Sequence, residues 1–219
     1  TRFGGVDMIR AVRSPGSALK PFIYGLAFEN GVAHPETLIE DRPVRFGHYA
    51  PKNFDEGYHG AVSIRQALQQ SLNIPAVKVL SQVTPQALIG RFRRVGVPMA
   101  LPEGGEPSLA IALGGVGFRL TDLAGLYASL ARGGEAVRLI HRQEERTTLR
   151  TAEPSRRLLS PVAAWYVADI LAGVAPPENA RKGEIAYKTG TSYGYRDAWA
   201  VGFDGRTTVA VWVGRPDSA

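Results

Sequence analysis

From residue 184 onward the chain changes period, and this shift constrains the fold more than any other feature. The segments "EIAYKTGTS", "DAWAVGF" and "TTVAVWVG" alternate apolar with polar residues or run β-branched, and Asp204-Gly205 supplies a tight turn between the last two. Upstream, apolar residues recur at helical spacing instead. Helices first and antiparallel strands last indicate an α+β fold, in which helices cover the sheet.

The helices carry start and stop signals. Residues 17–29 place Phe22, Ile23, Leu26 and Ala27 at core spacing and stop at Asn30-Gly31. The aperiodic stretch "PETLIEDRPVRFGHYAPKNFDEGYHG" reads as a long ordered loop. Ser63 then caps a helix that Asn73 to Pro75 is expected to interrupt before "AVKVLSQV" resumes it. Thr84, with Pro85 in the first helical position, opens another that ends at Gly96. Thr121-Asp122 start a helix with Leu123, Leu126, Tyr127 and Leu130 on one apolar face, and Pro161 opens the last, which ends near Gly173. Residues 133–160 are charged and irregular, and are expected to form an exposed hairpin or insertion.

A net charge of +6 would suit nucleic acid, an anionic membrane surface or an anionic polymer. The basic residues, however, fall in short clusters such as Arg91/Arg93/Arg94 and Arg156/Arg157, without the interleaved aromatics that stack bases. They read as solvated faces, and no nucleic-acid partner is expected. The chain has no cysteine, which excludes disulfides, thiol catalysis and zinc-thiolate sites. His48, His59, Asp55 and Glu56 lie close together but lack ligand spacing, so no metal site is expected. No stretch approaches the roughly 18 apolar residues of a membrane span.

Three short motifs carry chemistry. In "SPGSALKPF", Ser17 and Lys20 stand at i and i+3, so their side chains are helix neighbours. A serine hydroxyl is a poor nucleophile until a base takes its proton, and a lysine serves only when desolvated or flanked by other cations. Pro21 lacks the N–H that would bond the Ser17 carbonyl, which is expected to leave the serine backbone to be set by the cleft. Ser-x-x-Lys alone is weak evidence, since a cap beside a surface lysine looks the same. "SLN" at Ser71 to Asn73 sits at the helix interruption, and "KTGT" at Lys188 to Thr191 sits on a strand, where Gly190 removes a side chain beside a substrate backbone.

In this order the three motifs match the signature of penicillin-binding proteins and serine β-lactamases. "RSPGSALKPFIYGLAFENG", "YAPKNFDEGYHGAVSIRQALQQSLNIPAVKVL", "LAIALGGVGFRLTDLAGLYASLARGG" and "YKTGTSYGYRDAWAVGFDGRTTVAVWVG" resemble the transpeptidase domain of bifunctional class A penicillin-binding proteins, with "YGYRDAWAVGF" most similar to the 1C type. The resemblance implies that fold: an antiparallel sheet covered by helices, with an additional all-helical lobe. It implies one transpeptidase domain over residues 1–219, excised from a longer chain that carries a membrane anchor and a glycosyltransferase domain before it. It also implies site roles. Ser17 is the acylated nucleophile and Lys20 its proton acceptor. Ser71 relays the proton to the leaving amine, and Lys188 depresses the Lys20 pKa and attracts a carboxylate. Asn73, Thr189, Gly190 and Thr191 bind substrate, and the backbone N–H groups of Ser17 and Thr191 form the oxyanion hole. The implied reaction crosslinks peptidoglycan stem peptides ending in D-Ala-D-Ala, and β-lactams acylate the same serine. No cofactor or metal is implied. The implied place is the periplasmic face of the bacterial inner membrane, with other cell-wall synthesis proteins as partners.

Two alternatives keep the same motifs: a D,D-carboxypeptidase and a β-lactam-sensing binding domain. A class A β-lactamase would carry a glutamate four residues before an asparagine. Here Asn30, Asn53, Asn73 and Asn179 are preceded at that distance by Leu26, Tyr49, Gln69 and Ala175. Tyr193 and Tyr195 are candidates for the acceptor side of the cleft, and Trp199 reads as core.

Overall fold

The computed structural model describes residues 7–102, 104–140, 156–178 and 180–215. The change of period appears as three antiparallel strands, β3 (Ala186–Thr191), β4 (Asp197–Phe203) and β5 (Thr208–Gly214), in the order β3-β4-β5. Lys188 faces Val201 across one pair, and Phe203 faces Thr208 at the closing turn. The Asp204 carboxylate accepts the backbone N–H groups of Arg206 and Thr207, which fixes that turn by the Asx geometry aspartate favours. Among the described residues helices cover one face, and Val209, Val211 and Val213 of β5 remain exposed.

Among the described residues six α-helices precede the sheet, α1 (Lys20–Glu29), α2 (Ile64–Gln69), α3 (Asn73–Val83), α4 (Pro85–Arg94), α5 (Leu120–Ala131) and α6 (Pro161–Ala172), and α5 and α6 pack directly on it. Lys20 to Ala27 are all buried, because α1 runs through the centre, against α3 and α6. A chain of edge-to-face rings links Phe118 to Phe92, Phe22, Tyr127 and Phe203, joining the helices to the sheet.

Caps fall where the side chains allow them. Ser63 and Gln66 form a reciprocal capping box on α2, and the Thr84 hydroxyl accepts Ala87 N–H on α4. Helices α1, α4 and α5 each end with a left-handed glycine, Gly31, Gly96 or Gly133. Each glycine donates to the carbonyl three residues back, and the residue after it reaches five back.

Several expectations need correction. The stretch after α1 is not only loop, since β1 (Leu38–Asp41) and β2 (Gly60–Ser63) form a small antiparallel ribbon. The helix near Ser71 breaks at Ser71-Leu72, not at Asn73 to Pro75, because Pro75 sits in the first turn of α3, where its missing N–H has no intrahelical partner to lose. The helix expected from Ser17 begins as a 3-10 turn, Gly16–Leu19, and becomes α-helical at Lys20. The Ser17 carbonyl is not left free by Pro21: it accepts the Lys20 N–H three residues on, the bond that tightens the turn. At the base of the expected hairpin, Glu135 bridges Arg157 antiparallel, whereas 141–155 lies outside the described residues.

Candidate active site

Backbone meets backbone where α1 begins. A Cβ at Gly190 would collide with the Pro15 carbonyl, and one at Gly16 with the Thr191 carbonyl, so β3 lies directly against the turn that carries Ser17. Buried Tyr127 donates to the Ala18 carbonyl at 2.8 Å, the Ser14 hydroxyl to the Gly114 carbonyl at 2.7 Å, and the Trp199 indole to the Ser14 carbonyl at 2.8 Å. Trp199 is therefore core, as its pattern suggested, and it also holds the backbone ahead of Ser17.

Lys20 follows, wholly buried at the head of α1. Its Nζ donates to the Ser71 carbonyl and to Asn73 Oδ1, both at 2.6 Å, and lies 3.5 Å from Ser71 Oγ. Burial, and then the positive charge of Lys188, drive its pKa well below that of an ordinary lysine. Two acceptors satisfy the two N–H bonds of a neutral amine and leave its lone pair for a hydroxyl proton. Lys188 is also buried and donates to the Thr189 carbonyl at 2.9 Å, and burial lowers its pKa to about 8. Thr189 and Thr191 occupy the exposed face of β3, and Lys188 and Gly190 the inner one.

Ser71 occupies an unusual backbone position. It stands at φ 59° where α1, α4 and α5 carry glycine, donating its N–H to Leu68 while Leu72 donates to Ala67. A left-handed serine costs about 1–2 kcal/mol, and such strain marks residues kept for another reason. A Ser71→Gly variant is expected to be at least as stable as the parent, and Ser71→Ala about 1 kcal/mol less stable than Ser71→Gly. If the Ser71 hydroxyl relays a proton as the resemblance implies, both lose on the order of 10²-fold in acylation rate. Thermal midpoints and a fluorescent-penicillin time course measure the two effects separately.

The structure thus gathers Ser17, Lys20, Ser71, Asn73, Lys188 and the Gly190-Thr191 backbone at one place. Among the described residues Ser17 and Lys20 share no side-chain hydrogen bond, and Lys20 instead binds the Ser71-Asn73 side. Asn73 Oδ1 is occupied by Lys20 and one amide N–H by the Lys52 carbonyl at 2.8 Å, so its other N–H is what remains for a ligand. Exposed Phe54, next in sequence to Asn53, and Tyr195, just beyond β3, meet edge to face at 5.7 Å, and Tyr193 is almost wholly exposed. The motifs did not point to Asn53 and Asp41, which stand behind Asn73. A lone asparagine and an aspartate in an aperiodic stretch carry little signal.

The family profile described as "Penicillin binding protein transpeptidase domain" matches residues 5–215. The chain belongs to the penicillin-binding protein transpeptidase family. It is 47% identical over 223 residues to penicillin-binding protein 1C of Escherichia coli (strain K12), covering 99% of this chain and 28% of that protein. Penicillin-binding protein 1F of Bacillus subtilis (strain 168) is 32% identical over 228 residues, covering 96% of this chain and 31% of that one. The chain thus spans less than a third of the length of these relatives. Penicillin-binding protein 1A from Haemophilus influenzae superposes with a TM-score of 0.81 at 20% identity, over 98% of this chain and 40% of that one. PonA1 from Mycobacterium tuberculosis, solved in complex with penicillin V, gives 0.79 at 23% identity, over 98% and 64%. The penicillin-binding fold expected from the motifs is therefore the observed one.

Proposed function

We propose that this transpeptidase domain works as a D,D-acyltransferase with Ser17 as nucleophile, crosslinking peptidoglycan stem peptides that end in D-Ala-D-Ala. The observation that carries the reading is a fully buried lysine of depressed pKa, bonded to Ser71 and Asn73, one turn from Ser17 and close to Lys188. Neutral Lys20 takes the Ser17 proton as Oγ attacks the carbonyl carbon of the penultimate D-alanine. The N–H groups of Ser17 and Thr191 receive the oxyanion, an interaction worth about 2.7–4 kcal/mol per donor in comparable sites. Ser71 passes the proton to the departing nitrogen, the C–N bond breaks and D-alanine leaves. An amine of a neighbouring stem then attacks the ester and restores the Ser17 hydroxyl. Lys188, with the hydroxyls of Thr189 and Thr191, attracts the terminal carboxylate, and Asn73 donates to the substrate peptide. A β-lactam acylates the same serine, but its leaving nitrogen stays tethered, so the ester persists.

The match to 1C and 1A relatives supports a longer parent that also bears a peptidoglycan glycosyltransferase and faces the periplasm from the membrane. Among the described residues no helix is long and apolar enough to cross a membrane.

The test is intact mass after benzylpenicillin together with D-alanine release from a D-Ala-D-Ala peptide. A mass increment with release and transfer to an added amine is expected. Release without transfer makes the domain a carboxypeptidase, and an increment without release makes it a sensor. The pH profile is a further expected result. The second-order acylation constant rises as Lys20 loses its proton, then falls around pH 8 as Lys188 becomes neutral and ceases to attract the carboxylate. A flat profile from pH 6 to 10 refutes the roles of both lysines.

A further inference from the structure

Asn73 is bonded to Lys20, so whatever fixes Asn73 also fixes the base. Its backbone N–H donates to Asn53 Oδ1 at 2.8 Å, and the next N–H, of Ile74, reaches the same oxygen at 3.3 Å. Asn53 thereby caps α3 from outside the helix, because the cap residue Leu72 has no side-chain acceptor. The other end of the Asn53 amide is equally constrained. Nδ2 donates to both Asp41 carboxylate oxygens, at 2.9 and 2.8 Å, and to the Gly57 carbonyl at 2.9 Å. Asp41 is wholly inaccessible and Asn53 nearly so, and Asp41 Oδ2 also accepts the His59 N–H at 2.9 Å. Among the described residues Asp41 has no cationic partner. A buried carboxylate held only by neutral donors is costly to keep for stability alone. Here it fixes which way the Asn53 amide points: a flipped amide would turn its oxygen onto the carboxylate and its NH2 onto the head of α3.

We infer that Asp41 and Asn53 are positioning residues of the acylation site, a buried pair on the β1–β2 side that holds the head of α3 and, through Asn73, the Lys20 amine. The pair touches no substrate and acts only through Asn73. The inference rests on the acyl-serine reading of the preceding subsection. It extends the site from its three motifs to the ribbon Leu38–Asp41 and Gly60–Ser63, to which sequence reasoning gave no role.

The experiment uses the full-length protein and benzylpenicillin, resolving the noncovalent dissociation constant from the acylation rate constant. Asn53→Asp sets two carboxylates face to face. The exchange Asp41→Asn with Asn53→Asp turns the pair around: the carboxylate, now at position 53, accepts from the head of α3 and from the amide, now at position 41. The single variant is expected to slow acylation on the order of tenfold to a hundredfold, the scale of a small misplacement of a reacting group, with little change in the dissociation constant. The double variant is expected to recover most of that loss. Val167→Ala, a core truncation on α6, serves as a control that lowers the thermal midpoint without touching the site. If Asn53→Asp does not fold, Asn53→Ala takes its place beside the exchanged pair. Acylation at the parental rate in the single variant overturns the inference. So does a double variant no faster than the single, or a Val167→Ala protein slowed as much. The underlying reading fails separately, if the parent protein takes no benzylpenicillin at Ser17.

Discussion

In Ser17→Ala, the mass increment left by benzylpenicillin disappears entirely, while the thermal midpoint stays within the scatter of a neutral substitution. Ser17 is half-buried in the 3-10 turn, and among the described residues its hydroxyl makes no hydrogen bond. Losing Oγ therefore leaves no buried donor or acceptor unpaired, and the expected stability change is within about 0.5 kcal/mol. The turn itself is held by Tyr127, Trp199 and the collision-close glycines, none of which depends on the serine side chain. Covalent capture, in contrast, is expected to be lost with Oγ: Ser71 faces Lys20 from the other wall at a strained backbone position, and the Ser14 hydroxyl is held by the Gly114 carbonyl. An increment that survives in Ser17→Ala assigns the nucleophile elsewhere.

Lys20→Met is the second large effect. Methionine matches the length of the lysine stem and is at home in an apolar interior. The substitution removes a group whose charged form the interior opposes, as its lowered pKa records. It leaves the Ser71 carbonyl and Asn73 Oδ1 without their donor, at about 1–3 kcal/mol for each acceptor that water does not reach. The expected protein folds, with a midpoint lowered by several degrees. Its acylation rate falls on the order of 10⁴-fold, the upper range for losing a positioned base. Noncovalent affinity for the drug changes little, because Lys188, Thr189 and Thr191 are untouched. Stopped-flow acylation with separated binding and chemical steps checks this, and a loss below tenfold assigns proton removal to another group.

The sequence was readable where each local signal agreed with its surroundings. The strand period of residues 184–214, the Pro85 and Pro161 helix starts and the glycine stops all recur in the structure. So do the three motifs at one place, which the family resemblance implied and no single motif did. What escaped was set by contacts distant in sequence. The segments "LIED" and "GAVS" are too short to alternate visibly, and they pair through a ladder that needs both at once. The helix break was misplaced to Pro75 because proline is the usual breaker, whereas serine rarely takes the left-handed slot that Ser71 fills. Asn53 looked like any loop asparagine until its two ends were seen bonded to α3 and to Asp41.

The glycines between Ser17 and β3 bear on drug escape. At Gly16, Gly190 and Gly114 the nucleophile's turn and its surroundings touch main chain to main chain, with no room for even a methyl group. Core substitutions therefore have no side-chain spacer there to lengthen or shorten, and the gap between serine and KTG strand is not a quantity that selection adjusts in small steps. On the proposed function, variation in β-lactam susceptibility is expected instead at exposed side chains such as Phe54, Tyr193 and Tyr195, which bury little surface and change at little structural cost. Resistance in such a domain is expected to accumulate as altered entry to the cleft, with the distance between its walls preserved across lineages.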